Sequence, residues 1–163
     1  MKETIIGLAG HIDHGKTSLI KSLTNEFSGS LKEDLKRGMT IDLGIAFLDQ
    51  NITLIDVPGH EDFVKNMISG THGIDIGLLV IAADDGVMPQ TIEHLNIFSI
   101  LDISNLVIVI NKIDLVDNDI IEVVRLEILE LIEQTKFKNS NIINISTINN
   151  EGIHELKTLL INI

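Results

Sequence analysis

Stretches that are apolar at every position alternate along this chain with stretches that are apolar every third or fourth. Leu78-Leu79-Val80-Ile81 and Leu106-Val107-Ile108-Val109-Ile110 are the clearest of the first kind. A strand apolar on both faces is one covered by helices on both sides, the mark of a central strand in a parallel sheet. Strands are predicted over Thr4–Ala9, Gly44–Leu48, Ile52–Asp56, Gly77–Ala82, Leu106–Ile110 and Ile142–Ile145. Helices are predicted over Lys16–Thr24, Glu61–Ser69, Thr91–Leu101, Ile120–Thr135 and Ile153–Leu160. This alternation predicts a doubly wound α/β sheet of six strands with helices on both faces. Only Asp49-Gln50-Asn51 separate the second and third strands. They are predicted to form a hairpin, which makes one edge strand antiparallel in an otherwise parallel sheet. The segment Asn25–Thr40 breaks the pattern. It is polar, carries Gly29 and Gly38, and joins the first helix to the hairpin.

Composition narrows the function. The 163 residues suit one domain, expected to span 1–163, and 44% are hydrophobic. No run is long enough to span a membrane, and the N-terminus has no basic-then-apolar signal segment. There are no cysteines, which excludes disulfides and thiolate metal sites and accords with a cytoplasmic location. A net charge of −12 excludes a broad nucleic-acid-binding face, so any RNA contact needs a local basic patch or other domains. With five Phe and no Trp or Tyr, an aromatic platform for stacking bases is not expected.

The chemistry sits in the turns that follow strands. Gly10-His11-Ile12-Asp13-His14-Gly15-Lys16-Thr17 fits G-x-x-x-x-G-K-[ST] between a strand and a helix, the context a phosphate-binding loop requires. Its two glycines let the backbone curl around an anion. Its amides then point inward at a helix N-terminus, where the dipole also favours negative charge. The candidate phosphate-binding set is His11, Ile12, Asp13, His14, Gly15, Lys16, Thr17 and Ser18. Lys16 is placed to reach the β- and γ-phosphates, and the Thr17 hydroxyl to ligate Mg²⁺. Asp56-Val57-Pro58-Gly59-His60 closes the third strand. Behind a phosphate loop, Asp56 there can support Mg²⁺, and Gly59 can bring its amide close to a γ-phosphate.

Asn111-Lys112-Ile113-Asp114 follows the fifth strand. A carboxylate at Asp114 accepts from guanine N1–H and the exocyclic amine. Adenine offers no such donor pair and would leave the carboxylate unpaired. Asn111 can bond N7 and tie this turn to the phosphate loop, and the Lys112 stem can cover one face of the base. After the last strand, Ser146-Thr147-Ile148 can add a Thr147 amide to guanine O6 and an Ile148 side chain on the other face. In Arg37-Gly38-Met39-Thr40-Ile41-Asp42, Thr40 can give its hydroxyl to Mg²⁺ when a γ-phosphate is bound, which makes the polar loop an order–disorder switch. His11, His14 and His60 also resemble a metal-ligand set, but loop side chains point mostly away from the anion. That argues against a transition-metal centre. His72, His94 and His154 lie in no motif and read as surface or helix-packing residues.

Taken in order, Gly-His-Ile-Asp-His-Gly-Lys-Thr, Arg-Gly-Met-Thr-Ile, Asp-Val-Pro-Gly-His-Glu and Asn-Lys-Ile-Asp resemble the translational GTPases over the whole chain. Residues 37–48, 56–70 and 82–91 are most similar to the selenocysteine-specific elongation factors within that family. The resemblance implies a Ras-like P-loop GTPase domain. It implies binding of GTP and GDP with Mg²⁺ and hydrolysis to GDP and phosphate. Lys16, Thr40 and His60 are then the catalytic set, His60 positioning the attacking water, and Thr17, Thr40 and Asp56 the metal set. Ile12 and Met39 become a hydrophobic gate on His60. The implied partners of a full-length, monomeric factor are the ribosome and selenocysteyl-tRNA, and its further domains would follow Ile163. Thr147 departs from the usual Ala of the family. The competing readings are an initiation factor 2 γ-like or elongation factor Tu-like domain, and a nucleotide-gated binding module whose hydrolysis is incidental.

Overall fold

The computed structural model describes residues 3–25, 45–56 and 73–163. Thr40, Gly59, His60, most of the polar loop and the helix predicted over 61–69 lie outside these residues. Within them the chain runs β1 (Thr4–Gly10), α1 (Lys16–Asn25), β2 (Ile45–Asp49), β3 (Ile52–Asp56), β4 (Ile76–Ala82), α2 (Pro89–Ile100), β5 (Asn105–Asn111), α3 (Asn118–Glu133), β6 (Asn141–Asn144) and α4 (Ile153–Asn162). A single 3₁₀ turn, Ile113–Leu115, sits between β5 and α3. All six predicted strands and four of the five predicted helices are present among the described residues, with ends shifted by at most two residues. Such shifts are ordinary where helix ends fray and strands lose pairing.

The six strands form one sheet in the order β2-β3-β1-β4-β5-β6. Only β2 runs antiparallel, paired to β3 through the predicted hairpin. The all-apolar runs explain the rest. In β4, Leu78 and Val80 pack with Leu19 and Leu23 of α1 and Leu156 and Leu160 of α4. Leu79 and Ile81 face the other way, into Leu95 and Phe98 of α2 and Val124, Ile128 and Ile132 of α3. Strand period two therefore divides one continuous apolar run between two cores.

The site is positioned by this topology. Five parallel strands bring their C-terminal ends to one edge of the sheet, so the last residues of β3, β1, β4, β5 and β6 lie in a row there. β1 lies at the centre, with the chain leaving first to β3 on one side and later to β4 on the other. Such a switch point opens a crevice at the strand ends, where ligands of open α/β sheets bind.

Phe98 fixes the far end of α2 against the opposite, N-terminal end of β4. It is fully buried, and its ring lies so close to Gly77 that an added Cβ there would sit 3.1 Å from it. Phe98→Ala leaves a void the sheet backbone cannot fill. Urea denaturation is expected to show a loss of about 3–5 kcal/mol.

Candidate functional site

The loop after β1 is shaped by two close approaches. Gly10 has φ +148° and an added Cβ would lie 2.2 Å from the Val80 carbonyl oxygen. Gly15 has φ +89° and an added Cβ would lie 2.3 Å from Asn111 Nδ2. No other residue fits either place. Asp13 also turns left-handed, at φ +64°, a conformation that Asp tolerates better than most residues. Lys16 Nζ is folded back over the loop, donating to the carbonyl oxygens of Gly10 at 2.9 Å and His11 at 3.0 Å. Burial lowers the Lys16 pKa, while Asp56 and Asp13 hold it up. Thr17 and Ser18 follow on the exposed first turn of α1, and Ile12 is exposed at the mouth.

Asp56 ends β3 beside this lysine. Burial raises its pKa and Lys16 opposes the rise. Its Oδ1 is buried and has no hydrogen-bond partner among the described residues. A carboxylate oxygen held dry near a lysine is a ligand-ready group, because its desolvation is otherwise uncompensated.

The turn after β5 is tied to the phosphate loop. Asn111 is buried and its Nδ2 donates to the His14 carbonyl oxygen at 3.0 Å. Its Oδ1 is buried without a partner among the described residues. Lys112 is left-handed, at φ +62°, and its ammonium lies 3.3 Å from Asp84 Oδ2. Asp114 sits in the 3₁₀ turn and accepts from Ser146 Oγ at 2.5 Å. The same Ser146 oxygen accepts from the Asn149 amide at 3.1 Å. Ser146 is fully buried, Thr147 half-buried and Ile148 79% exposed. The serine therefore aims the Asp114 carboxylate, and the turn after β6 stands directly beside the turn after β5.

The histidines divide. His14 is fully buried, with Nδ1 3.4 Å from the Val80 carbonyl oxygen and Nε2 3.4 Å from Asp85 Oδ2. Burial lowers its pKa most, against the raising influence of Val80 and Asp85. It supports the loop from within. Among the described residues no group of three or more His, Cys, Asp or Glu side chains is arranged to hold a metal. His154 is exposed on α4, as one of the two readings of it expected. His94, for which a surface place was one expectation, is buried, and its Nδ1 accepts from the Gly10 amide at 3.1 Å. Gln90, one turn earlier, accepts from the Ile12 amide at 3.2 Å and from His11 Nδ1 at 2.8 Å. Sequence reasoning missed both residues as parts of the site. Their partners lie about 80 positions away, and no local spacing marks them.

His94 carries a pH dependence. Burial, then the charges of Lys16 and His11, push its pKa from 6.5 down to about 4. The folded state keeps this imidazole neutral where the unfolded chain protonates it, so stability present above pH 6.5 is lost as the pH falls toward 4. Between roughly pH 7 and pH 5 that amounts to about 2 kcal/mol. Urea titrations across this window should show a shallower slope for His94→Asn than for the parent chain; equal slopes would mean His94 titrates normally.

This arrangement has close relatives. The elongation factor Tu GTP binding domain family matches residues 1–163. The selenocysteine-specific elongation factor of Desulfomicrobium baculatum is 50% identical over 94% of this chain and 25% of its own length. That of Escherichia coli is 40% identical over 98% of the chain and 26% of its own length. The translation initiation factor 2 γ subunit of Thermococcus onnurineus is less similar, 36% identical over 94% of the chain and 44% of its own length. Among solved structures, elongation factor SelB of Methanococcus maripaludis in complex with the GTP analogue GppNHp superposes with a TM-score of 0.78 at 36% identity, over 99% of this chain and 34% of that one. The chain thus spans about a quarter of the length of the bacterial relatives it matches. It belongs to the elongation factor Tu GTP-binding domain family and is a translational GTPase domain of the type carried by selenocysteine-specific elongation factors.

Proposed function

We propose that this domain is the nucleotide switch of a cytoplasmic, monomeric factor that delivers selenocysteyl-tRNA to the ribosome, with residues 1–163 as one GTP-binding unit. The observation that carries the reading is the bond from Asn111 to the His14 carbonyl. It makes the base-reading turn and the phosphate loop one rigid body, so a guanine and its phosphates are gripped at a fixed separation. In this reading Asp114, aimed by Ser146, accepts from the guanine edge. Lys112 and Ile148 flank the base, and the Thr147 amide meets O6. The loop from His11 through Ser18, with Gly59, surrounds the phosphates, its remaining amides turned to them while the Ile12 amide is held by Gln90.

Mg²⁺ fits the residues present. The site offers hydroxyl and carboxylate oxygens at Thr17 and Asp56, and the Asp56 Oδ1 stands without a partner among the described residues. Such hard oxygen donors suit a small cation that keeps waters and takes phosphate oxygens. Thr17, Asp56 and, with GTP bound, Thr40 would hold it. The ion would supply charge neutralisation at the phosphates.

Hydrolysis of the γ-phosphate asks for alignment and charge stabilisation more than for a strong base. Lys16, already oriented by two loop carbonyls, meets the bridging and γ-phosphate oxygens as negative charge grows. His60 orients the attacking water, and Thr40 closes the loop over the γ-phosphate. Both halves can be tested. Asp114→Asn should weaken GTP by about 1.5–3 kcal/mol, roughly ten- to a hundredfold, and favour xanthosine triphosphate; calorimetry that finds parental GTP affinity refutes the base assignment. His60→Ala should slow single-turnover hydrolysis on ribosomes on the order of 10²–10⁴-fold while GTP and GDP affinities stay near parental. A parental rate there removes His60 from the mechanism, and a lost nucleotide affinity makes it a ground-state ligand instead.

A further inference from the structure

The first half of the phosphate loop is held from outside by one helix. Gln90 and His94 are four residues apart on α2, so they share a face. Both reach residues 10–12. The Ile12 amide, a donor, sets which end of the Gln90 side chain faces the loop: Oε1 accepts it at 3.2 Å and accepts His11 Nδ1–H at 2.8 Å. His94 Nδ1 accepts the Gly10 amide at 3.1 Å. The opposite sides of the same residues face Lys16, whose Nζ takes the Gly10 and His11 carbonyl oxygens at 2.9 and 3.0 Å. The peptide plane between His11 and Ile12 is therefore pinned at both ends, its oxygen to Lys16 and its N–H to Gln90. Rotating that plane would break both bonds together.

We infer that Gln90 and His94 are positioning residues for nucleotide binding: from α2 they fix the peptides of residues 10–12, and through those peptides the place of Lys16. Gly10 has no side chain to restrain it, and beyond its pairing with Val80 these bonds from α2 add to the hold of Lys16 on the peptides of residues 10–12. A ligand that must order its own site binds more weakly by that cost. The pair removes it in advance and links the position of α2 to the hold on the phosphates. The inference rests on nucleotide binding at this loop.

Gln90→Met keeps the side-chain length and deletes the acceptor. In the 163-residue chain it should move the Ile12 amide resonance in a ¹⁵N–¹H spectrum, leave the far-UV circular dichroism unchanged, and raise the Kd for GDP with Mg²⁺ on the order of tenfold. His94→Leu should do the same through the Gly10 amide. His94→Asn, whose Oδ1 can stand where Nδ1 stands, should recover most of that loss. Gln90→Met binding GDP with parental affinity overturns the inference, whether or not the Ile12 resonance moves. His94→Asn as weak as His94→Leu overturns the role given to His94, since packing alone would then explain it. If His94→Leu fails to fold, Gln90→Met at its partly exposed position decides alone. A parent chain that binds no GDP refutes the nucleotide reading itself and this inference with it; a parent that binds beside an unaffected Gln90→Met refutes only the inference.

Discussion

The closeness of Gly15 to Asn111 is the constraint on which the rest of the site depends. A Cβ at Gly15 would stand 2.3 Å from Asn111 Nδ2, the atom that donates to the His14 carbonyl. The loop has thus been brought as near to the end of β5 as a chain without a side chain permits. Two consequences follow from that contact. The phosphate loop cannot relax outward without breaking a buried hydrogen bond, and a buried donor left unpaired costs about 1–3 kcal/mol. The base turn, which begins at Asn111, also cannot shift relative to the phosphates. A site that discriminates guanine by two hydrogen bonds to one carboxylate needs that fixed distance. Otherwise the loop would follow whichever base arrived.

Charge is arranged against the character of the whole chain. The net charge is −12, so at long range the molecule repels a nucleotide. Attraction is short-ranged and comes from backbone amides at the start of α1 and from Lys16. The lysine is held on two carbonyl oxygens, with Asp56 and Asp13 near enough to counter the effect of burial on its pKa. Its charge is thereby kept in a partly dry place. Incoming phosphate oxygens can take over its partners without an ammonium having to be dragged out of water at that moment. Such preorganisation is the larger part of electrostatic stabilisation in water-poor sites.

The sequence made the fold legible where a physical rule is local. Leu78–Ile81 and Leu106–Ile110 had to be central strands, because nothing else buries both faces of so short a run. The three residues between β2 and β3 left no room for a crossover, so the antiparallel edge was fixed as well. The loops around Gly10, Asp56 and Asn111 were legible for the same reason: each motif sits in one turn. Ser146 is intermediate. Its position after β6 was visible, but its bond to the Asp114 carboxylate depends on β5 and β6 being neighbours, which a strand order supplies and a spacing does not. Gln90 and His94 were not legible at all. They stand on a helix with little amphipathic contrast, and their meaning comes from residues that β1 and β4 place beneath that helix.

His94 also shows why a residue without a motif should be weighed by its chemistry. A histidine that is 2% exposed and accepts a backbone N–H at Nδ1 must carry its proton on Nε2. That tautomer is not interchangeable with the other or with the imidazolium, since both put a hydrogen at Nδ1 where the Gly10 amide already points. A leucine would pack the space with less desolvation and no pH sensitivity. Keeping an imidazole there is reasonable only if the acceptor is needed. The amide it serves belongs to the glycine that opens the phosphate loop. The requirement traces back to a single fact of geometry: the loop must turn sharply at the centre of the sheet, where the backbone groups it frees lie too deep for water to satisfy.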